Sequence, residues 1–470
     1  MSQINESAIK TPGVYINEIP TLPPSVAQVS TAIPAFIGYT AIAVDVDGTD
    51  LTLKPTKIFS LLEYVQYFGK AEPEAGITVA VVVTTATSQI AASAAITGTS
   101  PHNMYYALRL YFANGGGPCY IVSVAPTAGA VVNTDLQAGL DALEAYDEPT
   151  LILFPEGQAI LEANYYTLVS SAIDQCTKLQ DRFTLIDVHT QGTSTNNTIT
   201  TFRGAFGKTD NLNYAAAYYP NLKTTFDFEY DDGDVDVTVA TDGGAPVGPT
   251  TLEALFSTAP TQLTVYYAAK AAIKKLSPTL PPTPAIAGIY AKVDGSRGVW
   301  KAPANISVSS IYEVTDFITD AEQETMNVDV VAGKSVNAIR PFVGKGILVW
   351  GGRTLDGNSS EWRYINVRRL FIMVEESCKK ATAQFVFESN DAVTWVKIRA
   401  MIENFLTNLW RQGALAGAKP EHAFFVKVGL GQTMTAFDIL EGRLIVEIGM
   451  AAVRPAEFII LRFMHKLQES

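Results

Sequence analysis

Two aspartates near the amino-terminal end have the spacing of a catalytic carboxylate pair. Asp45 and Asp47 follow an apolar stretch, residues 41–44, and precede Gly48-Thr49. Paired carboxylates at the end of a strand could take part in acid–base or metal-assisted catalysis.

The string resembles the first motif of haloacid-dehalogenase-type phosphotransferases. Those enzymes also use a downstream Lys and a late acidic pair that holds Mg²⁺. Here the later acidic cluster, residues 231–236, is predicted to lie on a hairpin and not after a core strand. A calcium loop does not fit either, because Gly48 comes two positions early. The favoured interpretation is an Asp-Gly turn at a strand end, with a Mg²⁺-dependent phosphatase using Asp45 and Asp47 as the alternative.

Other catalytic patterns are missing from the sequence. The four histidines are isolated, and there is no HExxH, GxSxG or GxxxxGK[ST] string. The run Gly115-Gly116-Gly117 precedes Pro118, which removes a backbone donor, so it indicates a helix stop and not a phosphate cradle. We therefore predict no catalytic residue, no cofactor and no metal ligand, and expect the chain not to be an enzyme.

Composition narrows the possible partners. The chain has 470 residues and a net charge of −13, which disfavours nucleic acid as a partner. No apolar run is long enough to insert into a membrane, and the amino end has no secretory-signal pattern. Three widely spaced cysteines fit reduced, buried thiols in a cytosolic product. Charged residues make up only 17% of the chain, which suggests that other subunits cover much of its surface.

The elements that follow residue 101 alternate between helix and strand. Helices are predicted over 104–112, 134–145, 160–179 and 251–276, and strands over 32–43, 119–124, 151–154, 183–188 and 215–219. Alternation of this kind predicts a fold of the α/β class (mixed α+β overall) with a mainly parallel sheet. Residues 281–305 read as a short helix followed by a turn-rich run from Asp294 to Trp300.

Two stretches interrupt this pattern. Residues 45–100 are rich in Val, Thr and Ala and carry few charges, which predicts a β-rich insertion. Residues 223–250 predict an inserted hairpin that turns at Asp232-Gly233, with Phe226 before the turn and Val237 after it on alternating positions.

The carboxyl-terminal 120 residues have the strongest helical periodicity. Helices are predicted over 361–381 and 391–412, the second capped by Asn390. An apolar stripe on the second helix contains Trp395, Ile398, Ile402, Phe405 and Leu409. The cations Lys397 and Arg399 lie on its polar side. Strands are predicted over 424–428 and 444–448.

Short apolar strands without local partners are predicted at both ends of the chain. Pro12, Pro20, Pro23 and Pro24 exclude a helix over residues 1–22. The candidate strand residues are Val14, Tyr15, Ile16, Ile19, Phe458, Ile459, Ile460, Leu461 and Phe463. Because a lone strand is not stable, each needs the sheet edge of another element or another subunit.

Taken in order along the chain, eight short motifs resemble those of contractile tail sheath proteins, from phage tails and phage-like injection systems. They are Thr11-Pro12-Gly13-Val14-Tyr15, Asn114-Gly115-Gly116, Tyr218-Tyr219-Pro220, Ala287-Gly288 to Asn305, Ile339-Arg340 to Thr354-Leu355, Tyr364-Ile365-Asn366-Val367-Arg368-Arg369-Leu370, Phe387-Glu388-Ser389-Asn390 and Arg454-Pro455-Ala456-Glu457.

The resemblance implies a structural subunit that polymerises around an inner tube and contracts to drive it through a cell envelope. It implies these domains: an N-terminal arm (1–22), a central sheath domain (23–44 with 101–350), an outward insertion (45–100), an inserted hairpin (223–250), a tube-facing C-terminal domain (351–454) and a C-terminal arm (455–470). The arms would complete sheets in neighbouring copies.

Further expectations follow from the same resemblance. Partners would be other copies of the chain, the tube protein, the baseplate and a terminator or cap protein. The particle would assemble in the bacterial cytoplasm, with possible release from the cell. Lys397 and Arg399 are the candidate tube contacts. A static capsid or fibre protein stays open as an alternative, and phage tail, tailocin and injection system are not distinguished.

Overall fold

The computed structural model describes residues 26–189, 194–256 and 260–462. The chain divides into two compact units. Of the described residues, the central unit contains 30–372 and 454–462, and the C-terminal unit contains 26–29 and 373–453. The predicted domain boundaries stay predictions.

A nine-stranded sheet forms the core of the central unit within the described residues. Its order is β13-β16-β15-β8-β7-β6-β1-β5-β2. The strands are β1 (Pro34–Thr40), β2 (Thr56–Ile58), β5 (Cys119–Pro126), β6 (Leu151–Leu153), β7 (Phe183–Asp187), β8 (Ala215–Tyr219), β13 (Ile306–Ser307), β15 (Val336–Phe342) and β16 (Gly346–Trp350).

The six inner strands of this sheet are parallel. β15, β8, β7, β6, β1 and β5 run in the same direction, whereas β16 and β2 are antiparallel to their neighbours. Every residue of β1 is buried, as expected for a parallel strand that is covered on both faces. The predicted α/β class and the mainly parallel sheet are thus confirmed.

Helices cover both faces of the sheet. Phe36 of β1 packs edge-on against Tyr111 of α2 (Met104–Ala113), with 5.2 Å between ring centroids. The next residue, Ile37, points to the other face, where it meets α3 (Asn133–Leu143). Gly139 of α3 allows this approach, because a Cβ there would lie 2.6 Å from Ile37 Cγ2. The run after α2 is the predicted helix stop, since α2 ends at Ala113.

The remaining elements of the central unit complete these layers. They are α1 (Leu61–Phe68), α4 (Glu162–Leu179), α5 (Thr195–Ala205), α8 (Thr283–Arg297), α9 (Asp320–Asn327) and a small sheet of β9 (Leu222–Thr224), β12 (Thr279–Leu280) and β14 (Ile311–Val314). The predicted turn-rich run from Asp294 to Trp300 was wrong over its first part. Helix α8 continues to Arg297 and is capped by Gly298, which has a φ of 86°, and the turn follows at residues 299–300.

Parts of the two inserted stretches together form a second sheet, which the sequence did not predict. Residues 56–58 of the first stretch instead form β2 of the nine-stranded sheet. The order of the second sheet is β11-β10-β3-β4, with β3 (Ile77–Thr84), β4 (Gln89–Ile96), β10 (Asp236–Thr241) and β11 (Val247–Thr251). β10 pairs in parallel with β3, so strands far apart in sequence share one layer. Helices α6 (Leu252–Phe256) and α7 (Pro260–Ile273) follow, and α7 packs on β3 and β4.

The predicted hairpin at Asp232-Gly233 was therefore misplaced. The observed hairpin joins β10 to β11, and Phe226 lies buried outside any strand. Alternation alone cannot distinguish a strand from an extended segment whose side chains fill a core.

The C-terminal unit is mainly helical. Its elements include α11 (Ala392–Arg411), α12 (Pro420–Ala423), α13 (Ala436–Leu440), β17 (Phe424–Lys427) and β18 (Glu447–Met450), and α10 spans Ile365–Thr382. The predicted stripe of α11 is confirmed: Ile398, Ile402, Phe405 and Leu409 are buried and Trp395 is half-buried. The predicted N-cap was wrong, because Asp391 accepts hydrogen bonds from the amides of Val393 and Thr394. Asn390 instead accepts from Trp395 Nε1 at 2.7 Å.

Candidate assembly interface

The C-terminal unit carries a sheet of only two strands. β17 and β18 pair antiparallel from Phe424↔Met450 to Lys427↔Glu447, and neither has a second strand neighbour in the described chain. A two-stranded sheet is marginal in water on its own. Two open strand edges are therefore available for strands from elsewhere.

One face of this sheet carries an exposed aromatic ring beside the charged side chains of Lys427 and Glu447. Phe425 is 49% exposed, and its ring lies across the backbone of Gly449 on the facing strand, so that a Cβ at 449 would be 2.2 Å from the ring. Ile448, which pairs with Val426, is partly exposed on the opposite face. An exposed aromatic ring on an open sheet is typical of a surface that another chain covers.

The carboxyl-terminal segment is apolar and exposed. Phe458, Ile459, Ile460 and Leu461 are exposed by 70–79%, and no strand includes them. The predicted strand over residues 458–464 is therefore not formed within the subunit, as far as Arg462, where the description ends. The physical reason is that a strand needs a sheet edge, and the segment pairs with none among residues 26–189, 194–256 and 260–462.

The other predicted arm residues lie outside the described residues. These are Phe463 at the carboxyl end and Val14, Tyr15, Ile16 and Ile19 at the amino end. The two-arm arrangement accordingly stays a prediction.

The candidate tube contacts lie on the solvent-facing side of α11. Lys397 and Arg399 are both exposed, and Arg399 Nε donates to Glu403 Oε1 at 2.8 Å, one helical turn on. An exposed pair of this kind contributes about 0.3–0.5 kcal/mol to the helix. Of the two cations, Arg399 is thus paired with a carboxylate of its own helix.

The aspartates with catalytic spacing lie in a surface turn. Asp47 Oδ1 accepts from the amide of Thr49 at 2.9 Å, and hydrogen bonds from Thr49 lower the pKa of Asp47. The amide of Gly48 donates to the carbonyl of Asp45 at 2.9 Å, closing the predicted Asp-Gly turn. No group of three or more metal-binding side chains that could hold an ion occurs in the described residues. The geometry offers no support for the phosphatase alternative.

The three cysteines are buried, as the sequence predicts. Cys119, Cys176 and Cys378 are free thiols and all are buried. None of the helices in the described ranges combines the length and apolarity needed to cross a lipid bilayer.

Two carboxylates are buried at helix ends in the central unit. Asp187 accepts from both the amide and the hydroxyl of Thr283, at 2.9 and 2.6 Å, at the start of α8. Burial raises the pKa of Asp187 to about 7, although these bonds oppose the shift. Burial also raises the pKa of Glu156 to about 8, against hydrogen bonds from three backbone amides. Both carboxylates satisfy buried backbone donors and face no reactive partner, which indicates a structural role.

A buried charge pair joins two of the sequence motifs. Arg369 of α10 contacts Asp294 of α8 through both terminal nitrogens, at 2.6 and 3.1 Å, and its guanidinium lies 4.4 Å from the ring centroid of Tyr290. The Tyr290 hydroxyl shares a hydrogen bond of 2.7 Å with that of Tyr218. Sequence reasoning missed this network because the partners are 75 and 72 positions apart.

Sequence profiles of two sheath domains match this chain. The profile described as "Phage tail sheath protein central domain" matches residues 129–355, and that described as "Phage tail sheath C-terminal domain" matches residues 358–465. Together they cover well over half of the chain.

Solved sheath structures match almost the whole chain. The sheath complex of the extracellular contractile injection system PVC, in its contracted state, is 31% identical and has a TM-score of 0.67, with 97% of this chain and 98% of that chain covered. The helical sheath of the anti-feeding prophage in its contracted state is 32% identical with a TM-score of 0.65, covering 97% and 100%.

Characterised relatives match a shorter stretch. The tail sheath protein of Vibrio phage KVP40 is 28% identical over 130 residues, which is 28% of this chain and 19% of that protein. The tail sheath protein of Enterobacteria phage T4 is 27% identical over 121 residues, 26% of this chain and 18% of that protein. The aligned stretch is thus about a fifth of each phage protein.

The fold and the matched domains define the class of protein. This chain belongs to the phage tail sheath family, and it is a sheath protein of the type found in contractile injection systems.

Proposed function

We propose that this protein is the repeating subunit of a sheath that surrounds an inner tube and shortens to drive that tube through a target envelope. The observation that carries the proposal is the near-complete match, at 31–32% identity, to sheaths captured in their contracted state. The open sheet and the exposed apolar segment of this chain supply complementary surfaces for such an assembly.

Strand addition between copies is the mechanism that these surfaces support. In this proposal the segment after Glu457, and the predicted strand at residues 14–19, add to the free edges of the β17–β18 sheet in neighbouring copies. Each added strand brings backbone hydrogen bonds, and its side chains cover Phe425. The arms then remain attached while the subunits move as rigid bodies.

Contraction needs no nucleotide in this scheme. The sheath assembles extended on its tube and baseplate, and the contracted lattice buries more surface between copies and has the lower free energy. A kinetic barrier holds the extended form until the baseplate releases it. Further partners in the proposal are the tube protein, which α11 contacts through Lys397 and Arg399, and a terminator protein. Assembly takes place in the cytoplasm of the producing cell.

Electron microscopy of the protein expressed alone tests this function. We expect hollow tubes of uniform width in the contracted lattice. Co-expression with the cognate tube protein and baseplate should give longer, narrower particles that shorten on mild denaturation. Tubes of fixed length and diameter under every condition would identify a static structural protein instead, and monomers in both experiments would contradict the proposal.

A further inference from the structure

One carboxylate at the base of the exposed segment is held by three side chains of the central unit. Glu457 Oε2 accepts a hydrogen bond from Arg353 Nη2 at 2.6 Å, and Glu457 Oε1 accepts one from Arg353 Nε at 2.9 Å. Asn327 Nδ2 donates to Oε1 at 2.7 Å, and the hydroxyl of Tyr364 donates to Oε2 at 3.2 Å. Both oxygens therefore have two donors, which nearly saturates a carboxylate.

The donors are themselves fixed. The side chain of Arg353 is only 4% exposed, and its Nη1 also donates to the carbonyl of Asn327 at 3.2 Å. Arg353 forms an isolated β-bridge with Tyr364, and Asn327 is the last residue of α9. We refer to Arg353, Asn327 and Tyr364 together as the Glu457 clamp. The clamp is rigid because backbone structure holds each of its members.

The charge of Glu457 is retained in this position. Burial acts to raise the pKa of Glu457, but hydrogen bonds from Arg353 and Asn327 and the charge of Arg353 outweigh it and lower the pKa. The side chain of Glu457 is 19% exposed and that of Arg353 is 4% exposed. A largely shielded bidentate pair between charged groups is strong when both partners are present and costly when one is removed. The chain thus has a strong, directional contact at this residue.

The position of this contact along the chain is its informative feature. Residues 373–453 belong to the C-terminal unit, whereas the chain from Arg454 to Arg462 belongs to the central unit. Residues 455–459 line a groove of about 700 Å³ in the central unit, together with Trp350 and Arg340. Directly after Glu457 come the four apolar residues that are exposed by 70–79%. The clamp is therefore the last strong attachment of the chain before the exposed segment.

We propose that the Glu457 clamp is the anchor of the C-terminal arm: it sets the point and direction in which the arm leaves the central unit, and it transmits load on the arm to that unit. This inference rests on the proposed exchange of arms between copies. Without the clamp, a pull on the arm would act first on the adjoining strand β18, which belongs to a marginal two-stranded sheet. With it, the force passes to the nine-stranded core.

The anchoring can be measured in the monomer first. Because all three native cysteines are buried, a cysteine introduced by Ala456→Cys, at an exposed site, can be spin-labelled selectively. In Glu457→Ala, we expect the label to become several-fold more mobile while circular dichroism and the exposure of the native thiols stay unchanged. Glu361→Ala, which removes an exposed carboxylate from the same unit, is the matched control and should leave label mobility unchanged.

The consequence for assembly is measured on the full-length protein without a label, co-expressed with its tube protein. Removing one partner of a buried pair is strongly unfavourable, so we expect Glu457→Ala to give at least about tenfold less sedimentable sheath than Glu361→Ala. Glu457→Gln keeps the size and part of the hydrogen bonding, and it should give an intermediate yield. If Glu457→Ala does not fold, the sheath yield of Glu457→Gln still tests the anchor.

A deletion of residues 458–470, which retains Glu457, separates this inference from the proposed function. If the deletion leaves sheath yield normal, the arm exchange itself is wrong. If the deletion abolishes sheaths while Glu457→Ala and Glu457→Gln assemble normally, or while label mobility is unchanged in Glu457→Ala, the arm stands and the anchor is overturned.

Discussion

The nine-stranded sheet of the central unit and the two-stranded sheet of the C-terminal unit differ in how much of their edge strands is available for pairing with another chain. The large sheet ends in very short strands, β13 with two residues and β2 with three, and helices cover both faces. Short edge strands give little backbone for another chain to pair with. Within the described part of the chain, the small sheet has no strand beyond either of its two, and it carries an exposed aromatic ring on its surface.

The difference separates folding from assembly. The large sheet buries its side chains within one chain, whereas in the proposed function the small sheet gains strands from neighbouring copies. We propose that a subunit built in this way folds before assembly and then binds its neighbours through backbone hydrogen bonds. In this proposal the arms join copies without any change to the core.

The largest effect should come from removing the added strands. Deletion of residues 458–470 removes the apolar segment but leaves the central unit intact, so we expect no sheath by electron microscopy and an unchanged thermal unfolding midpoint. A deletion mutant that unfolds cooperatively at a much lower temperature would show that the segment belongs to the core, contrary to the comparison.

Phenylalanines in the two sheets provide a matched pair. Phe36 is fully buried in the large sheet, so Phe36→Ala should lower the free energy of unfolding by about 3–5 kcal/mol. Phe425 is half-exposed, so Phe425→Ala should cost the monomer about 1 kcal/mol or less and yet reduce sheath yield strongly. Denaturant unfolding and sedimentation measure the two properties. Equal losses of monomer stability in both variants would remove the distinction between the sheets.

The buried pair between Asp294 and Arg369 tests the self-sufficiency of the central unit. Asp294→Ala leaves a guanidinium that is 3% exposed without its carboxylate, and we expect a loss of about 3–5 kcal/mol in unfolding free energy. Asp234→Ala, at an exposed position in the insertion, is the control and should change stability by about 0.5 kcal/mol or less. If the two variants were equally stable, the network would contribute nothing to the fold.

The smallest effect is expected at the candidate tube contact. Lys397→Glu combined with Arg399→Glu should leave the monomer nearly as stable as the parent and reduce the fraction of tube-filled particles. Lys274→Glu with Lys275→Glu makes the same charge change at exposed positions of the central unit. A normal yield of tube-filled particles from the α11 variant would refute the assignment of that helix face.

The parallel core was predictable because its signals are local. A fully buried strand such as β1 reads as a continuous apolar run, and the stripe of α11 repeats at helical spacing. Both signals can be recognised without knowledge of the rest of the fold. The buried free cysteines and the turn at Asp45 and Asp47 were predictable for the same reason.

The predictions that failed, and the contacts that the sequence did not reveal, concern features that depend on residues far away in the chain. β10 is placed by parallel pairing with β3, more than 150 positions earlier, so alternation near Asp232-Gly233 could not locate its hairpin. Glu457 belongs to the motif Arg454-Pro455-Ala456-Glu457, but its partner Arg353 is 104 positions away in the sequence. The apolar segment at residues 458–461 reads as a buried strand, yet within the described residues it is exposed and forms no strand. In the proposed function, the surface that would bury it lies on another copy.

The most direct test of arm exchange is a reconstruction of the assembled sheath, by electron cryomicroscopy of the protein co-expressed with its tube, at a resolution that traces the backbone. We predict that the chain beyond Glu457 of one copy forms a strand on a free edge of the β17–β18 sheet of a neighbour, with Glu457 still bound to Arg353 in its own copy. A sheath in which both edges of that sheet stay unpaired, or in which the segment folds back onto its own subunit, would contradict the account.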